Sequence, residues 1–313
     1  MTATAQSTPH RPFLAYAALA VTLFAASYGP IVIREAQGVG LPSVLIIAAR
    51  LWLSALLLTP YVWRTSRGDF GRITRRHWGI LLTAGFLFAL NLLALFFALE
   101  YTTVLMTGIM RRTGSLWMIL LEIGFLGVAF SRRVWVGLLL AVAGSVLVAL
   151  ASSLTASNQV DFGSAPIIGA TIAASGALAM SLYMLVGRAM RNVLSTLAYS
   201  WLIFIVAAVF TTLLTLYLGI PLSGYTRDAV YWIVVVTLVT QILGHIPINY
   251  ALHYFPATYV SLIMQGAVVL MAIFAFVAFQ EVPTTPEIIG SIIIAAGIFV
   301  ATYQPAKKTK SNK

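Results

Sequence analysis

Residues 102–130 read TTVLMTGIMRRTGSLWMILLEIGFLGVAF, apolar except for Arg111 and Arg112 at the middle and Glu122 beyond them. A hydrocarbon core about 30 Å thick takes about 20 apolar residues per helical span. A charge at bilayer depth costs at least about 2.5–3.5 kcal/mol on insertion scales, and it persists where it faces a partner or a water-filled cavity. The stretch therefore implies a membrane helix and marks a place inside the bundle where polar chemistry is expected.

The rest of the 313 residues agrees. Hydrophobic residues make up 60% and charged ones 9%, with a mean hydropathy of +0.96. A soluble domain carries about 25% charged residues. Ten spans are expected, at about 13–35, 41–63, 78–99, 102–129, 134–152, 166–187, 196–219, 229–251, 258–279 and 287–304. Short connections with turn and breaker residues separate them, among them Gly38–Pro42, Gly219–Pro221 and Pro283–Pro286. The fold class is all-α integral membrane, with no soluble domain left over. The apolar run after Arg11 is too long for a cleaved leader and leads into a second span. With no cysteine, thiol chemistry is excluded.

The net charge of +11 is a topology signal rather than a nucleic-acid patch. Ten spans place both termini on one side. If that side is cytoplasmic it holds 14 of the 19 basic residues, including the arginines between Arg64 and Arg76 and the lysines of Lys307–Lys313. Cytoplasmic connections carry the Lys/Arg excess, so N and C termini are expected inside the cell (inner) membrane.

The chain also repeats. A shift of 153 residues brings Ala98-Leu99 onto Ala251-Leu252, Tyr101 onto Tyr254, Met118 onto Met271, Gly137 onto Gly290 and Ala143-Gly144 onto Ala296-Gly297. Residues 1–155 and 156–313 then form two five-helix repeats, the second carrying the basic tail. Five spans is an odd number, so the repeats must be inverted relative to one another, around a central cavity. Inverted repeats of this kind place the substrate site of secondary transporters near the bilayer midplane.

With the repeat in view, the chain resembles the ten-span EamA-type exporters of the drug/metabolite transporter superfamily. The resemblance rests on Phe24-Ala25-Ala26-Ser27-Tyr28-Gly29-Pro30 in the first span and Arg50 within Ala48–Leu53. Pro256-Ala257-Thr258-Tyr259, and Glu281 followed by Gly290 and Gly297, complete it. It implies a cavity lined by spans 1, 3, 4, 6, 8 and 9 and export of small metabolites. The chain departs from the family where Val128 stands opposite Glu281 in the repeat, where no proline interrupts Ala267-Val268, and in the Arg111-Arg112 pair.

Arginine recognises carboxylate and phosphate through two parallel hydrogen bonds, so Arg111 or Arg112 is expected to hold an anionic group of the substrate. Adjacent helical residues point about 100° apart, and only one of the pair is expected to face the cavity squarely. The alternative is that both tie helices together. Arg50, roughly 14 Å into its span, and Glu122 are expected to be structural charges. Gln241, His245 and Asn249 recur every fourth residue on one face of span 8. Asn91 and Gln265 sit at related depths, Gln265 opposite Arg112 in the repeat, and Tyr28 and Tyr183 are candidate aromatic walls. His245 is either a proton-coupling group or a neutral donor between helices.

Catalysis finds little support. No His-Glu-x-x-His cluster, intramembrane aspartate or phosphate-cradling loop occurs, so no metal, cofactor or ATP is expected. The function expected is secondary export of small organic metabolites, amino acids foremost, with a carboxylate-bearing substrate and the lipid bilayer as partners and a monomer or homodimer as the unit. An exchanger of organic anions or phosphorylated metabolites is the alternative within transport. A channel or a membrane receptor is the alternative outside it.

Overall fold

A computed structural model describes residues 12–111, 113–126, 165–190, 193–244, 267–280 and 282–302, with scattered positions between 132 and 147 and at 247 and 251. Every regular element among these residues is helical. In chain order they are α1 (Pro12–Gly38), α2 (Ser43–Thr65), the short α3 (Arg67–Phe70), α4 (Arg75–Tyr101), α5 (Val104–Arg111) and α6 (Gly114–Leu126). α7 (Pro166–Gly187), α8 (Thr196–Tyr217), α9 (Arg227–Thr237), α10 (Ala267–Phe279) and α11 (Thr285–Thr302) follow. α1, α2, α4, α7 and α8 are long and apolar enough to cross a membrane, and α10 and α11 contribute shorter apolar stretches. Most of the fifth expected span, the first half of the ninth and the basic tail lie outside the described residues, so the structure supports a multi-pass helical bundle without counting ten spans.

Each crossing helix buries one face and leaves the other apolar and exposed, as a bundle in lipid must: the buried share is 56% in α1 and 39% in α8. Phe13, Leu56, Leu213 and Tyr217 stand on the exposed side. Several hydroxyl side chains within the helices answer their own backbone, since lipid offers no other partner. Ser54 donates to the Arg50 carbonyl at 2.6 Å, Thr211 to Ala207 at 2.9 Å and Thr215 to Thr211 at 2.7 Å.

The core is a layer in which α4 packs on α7 and α8, and α2 on α8. Small residues set these approaches. A Cβ on Gly176 of α7 would stand 2.7 Å from that of Ala94 on α4, and one on Gly85 of α4 would stand 2.7 Å from Val206 Cβ on α8. On the other side of this layer α1 packs against α10 and α9, and α5 against α10.

Polar contacts tie the helix ends. At one end Arg34 donates to the carbonyls of Leu99 (3.2 Å) and Thr102, Gln37 to Ser43 Oγ (2.7 Å) and the Phe96 carbonyl (3.0 Å), and Ser43 to Glu100. At the opposite end Ser66 and Ser195 share a hydroxyl contact of 2.9 Å, and Asp69 accepts the Ser195 backbone N–H at 2.9 Å.

The segment expected as the fourth span is two helices rather than one. α5 stops at Arg111 and α6 starts at Gly114. Thr113 explains the break: its N–H bonds Met110 in a tightened i→i−3 turn at 3.1 Å, and its hydroxyl takes the same carbonyl at 2.7 Å. The pattern of apolar residues continues through this turn, which is why the sequence alone shows no interruption.

Candidate functional site

A cavity of about 360 Å³ opens between α1, α2, α4, α5, α7, the segment after α9, and α10. Its size suits a small molecule. α1 presents Thr22, Ala25, Ala26, Gly29, Pro30 and Ile33, residues spaced at three and four so that they share one helical face. Pro30 removes one helical donor, leaving backbone oxygen on that wall. α4 contributes Phe88, Asn91, Leu92 and Leu95; α5 contributes Thr107, Gly108 and Arg111; Met180 and Met271 close the sides. All six spans that the resemblance implies therefore line it, and α2 adds a single residue, Arg50.

Two guanidiniums converge here. Arg111, half-buried at the C-terminal end of α5 where a cation complements the helix dipole, donates from Nη1 to Asn91 Oδ1 at 3.2 Å. Asn91 is itself 2% exposed. Arg50 lies seven residues into α2, roughly 10 Å from its start, and is 3% exposed. Its guanidinium carbon stands 5.6 Å from the centre of the Phe96 ring, and its Nη2 is 3.5 Å from Gln241 Oε1. Arg50 and Arg111, both cations, line the same cavity. No carboxylate is among the described residues of the wall.

Gln241 owes its position to a local irregularity. α9 passes into a π-helical segment, Leu238–Ile242, before the chain resumes α-helical form. A π turn holds one residue more per turn than the α-helix and recurs at functional sites. Here it buries Gln241 toward Arg50, while Thr240 and Gly244 reach the cavity wall.

Of the residues singled out from sequence, Arg50, Asn91 and Arg111 come together on the cavity, with Gln241 directly behind Arg50. Tyr28 and Tyr183 are not on this wall. Tyr28 stacks on Phe24 with ring centres 5.5 Å apart and meets Phe274 edge-on, and Tyr183 packs between Phe88 and Tyr199. Arg112, His245, Asn249 and Gln265 lie outside the described residues, as does the side chain of Glu122, whose backbone belongs to α6. Sequence reasoning missed Thr22, Thr107 and the methionines. The signal for Thr22 was the small-residue face of α1. Met180 and Met271 carry no such mark.

Comparison with known proteins places this geometry. The family model of the EamA-like transporters matches the chain twice, at residues 13–150 and 167–303. No curated protein matches the chain. Among the solved structures similar in fold is a crystal structure with a TM-score of 0.59 at 18% identity, over 92% of this chain and 96% of the other.

Proposed function

The chain belongs to the EamA-like transporter family, whose pattern covers it in two repeats, and from this premise we propose that it exports small carboxylate-bearing metabolites, amino acids foremost, across the cell membrane. The observation that carries the proposal is the pair of guanidiniums, Arg50 and Arg111, on one small cavity inside an apolar bundle. In a low-dielectric site a cation has strong reason to meet a ligand anion. The guanidinium pair engages the carboxylate, and the apolar wall of α1 takes the remainder of the substrate. Two inverted repeats, residues 1–155 and 156–313, rock to expose the cavity to either side in turn. The distribution of basic residues favours cytoplasmic termini, and the working unit is a monomer or homodimer.

A second reading has a specific observation behind it. An amino acid brings an ammonium as well as a carboxylate, and the described wall offers two cations and no carboxylate. That favours an organic anion or a phosphorylated metabolite, moved by exchange.

Thermal stabilisation of the purified protein across amino acids, organic acids, sugar phosphates and cationic compounds tests both. A ligand at 100 times its dissociation constant adds about 2.7 kcal/mol, which a melting curve resolves. Stabilisation by carboxylates supports the first reading and by phosphates alone the second. Stabilisation only by neutral or cationic compounds overturns both. Saturable counterflow in liposomes then separates a transporter from a channel, and binding without any flux identifies a receptor.

A further inference from the structure

We infer that Arg50, held from behind by Gln241 on the π-helical turn, is the primary anchor of the substrate's anionic group, with Arg111 as a secondary cation. The inference rests on the reading of the cavity as an anion-handling transport site and names the residue that defines it. Its place in the middle of an apolar helix reads as a structural charge in the sequence; its surroundings point elsewhere.

A structural arginine in lipid is saturated with acceptors, because each buried donor left unmatched is costly. Arg50 is not saturated. Its Nε and Nη1 are buried and find no hydrogen-bond partner among the described residues. The acceptor it meets among the described residues, Gln241 Oε1, is at the outer limit of a hydrogen bond. Gln241 Nε2 and the Thr22 hydroxyl are likewise buried without a partner among the described residues. Arg50 and Thr22 both line the cavity. Two buried nitrogens of Arg50 and the Thr22 hydroxyl thus stand unmatched on one cavity, with Gln241 Nε2 unmatched beside Arg50, and the other charge on the described wall is also a cation, Arg111. A carboxylate or phosphate oxygen supplies the missing acceptors and offsets the two like charges at once. The Phe96 ring under the guanidinium holds its plane, and the π turn sets the glutamine that orients it. Arg111 differs because its guanidinium already donates to Asn91.

The test uses the full chain in detergent with three probe pairs: succinate against succinamide, L-leucine against L-leucinamide, and inorganic phosphate against chloride. Stabilisation of the wild type by the acid of at least one pair, and not by its neutral partner or by chloride, is expected. Arg50→Gln is expected to weaken that acid by roughly tenfold to a hundredfold, the range that loss of a charge-assisted hydrogen bond carries, while Arg111→Gln weakens it less. Gln241→Glu places a carboxylate against Arg50 and mimics the bound anion. This variant is expected to melt at or above the wild-type temperature and to lose stabilisation by the acid. If Arg50→Gln does not fold, Gln241→Glu decides. Acid binding kept by Arg50→Gln and lost by Arg111→Gln, or unchanged affinity in Gln241→Glu, overturns the assignment of Arg50 and leaves the transport reading standing. A wild type that no acid stabilises overturns that reading itself, and this inference with it.

Discussion

Helices α2 and α8 stand 153 residues apart, Ser43 falling on Thr196, and run for 23 and 22 residues. They pack against each other, Trp201 of α8 donating to the Ala55 carbonyl at 3.1 Å and to Thr59 at 3.0 Å. Yet Arg50 falls on Ile203, and the two are buried to the same degree, 3% and 0% exposed. One position of the repeat is a cation on a cavity, and its counterpart is a methyl-rich filler of the core. α4 and α9 differ in the same way: α4 runs unbroken for 27 residues, whereas the segment after α9 turns π-helical, and Asn91 falls on Gly244, both on the cavity wall. The repeat supplies the frame. The buried cation of the cavity sits where the copies disagree.

The sharpest way to break this comparison is to exchange its two residues. Ile203→Arg buries a cation where no cavity receives it, at about 2.5–3.5 kcal/mol or more, and is expected to abolish the folded peak in size-exclusion chromatography. Arg50→Ile gives α2 the residue of α8 and is expected to melt close to the wild type while losing stabilisation by acids. If both variants fail to fold alike, Arg50 holds helices together and the asymmetry carries no function.

Next in size is the seam between α4 and α8. Gly85 falls on Leu238, which is 43% exposed, so the same exchange tests packing instead of charge. Gly85→Leu drives a side chain into Val206, and overpacking of this kind costs about 1–3 kcal/mol. Leu238→Gly removes an exposed side chain and costs about 1 kcal/mol through helix propensity alone. Melting temperatures that drop equally would mean that the two seams are packed alike.

These contrasts show what the sequence could convey. Span length and the 153-residue offset follow from composition and pattern, so the multi-pass helical class and the two-repeat pattern were legible, while depth and helical spacing singled out Asn91, Arg111 and Gln241, which the structure brings to or beside the cavity. For Arg50 the sequence could not show how its guanidinium is partnered, because that depends on neighbours 46 and 191 residues away, Phe96 and Gln241. The break at Thr113 and the π turn at Leu238–Ile242 leave the apolar pattern uninterrupted, so no periodicity announces them. Tyr28 and Tyr183 could not be told from packing aromatics for a related reason: an aromatic on a buried face has the same spacing whether it meets a ligand or, as here, Phe274 and Tyr199.

Arg111 sharpens the comparison from inside the cavity. Arg111→Gln loses a bond to Asn91 worth about 0.5–1.5 kcal/mol and removes one of the two like charges on the cavity. The two changes offset, so the melting temperature is expected to stay near the wild type. Affinity for the stabilising acid is expected to fall by less than about tenfold, equivalent to 1.4 kcal/mol. A larger fall than that in Arg50→Gln would reverse the order of the two cations.

The smallest effect is expected at the end of the bundle where α3 meets α8. Asp69 accepts the Ser195 backbone N–H, is hydrogen-bonded by the Ser195 side chain, and lies 3.9 Å from Arg72. These contacts, the backbone N–H foremost, hold its carboxyl below the ordinary value of 3.8 against a small desolvation effect. A depressed carboxyl stabilises the fold above its ordinary value and loses that contribution as the pH falls through the folded value. The melting temperature of Asp69→Asn is therefore expected to lie slightly below the wild type at about pH 7 and to converge with it below about pH 4. The effect is small because the group is close to water. Its counterpart in the repeat, Leu222, is 54% exposed and has no charge to offer. A difference between Asp69→Asn and the wild type that stays constant across that pH range would mean the carboxylate's charge contributes nothing. The contact would then be an ordinary polar turn, and the two ends of the repeat would be alike in this respect.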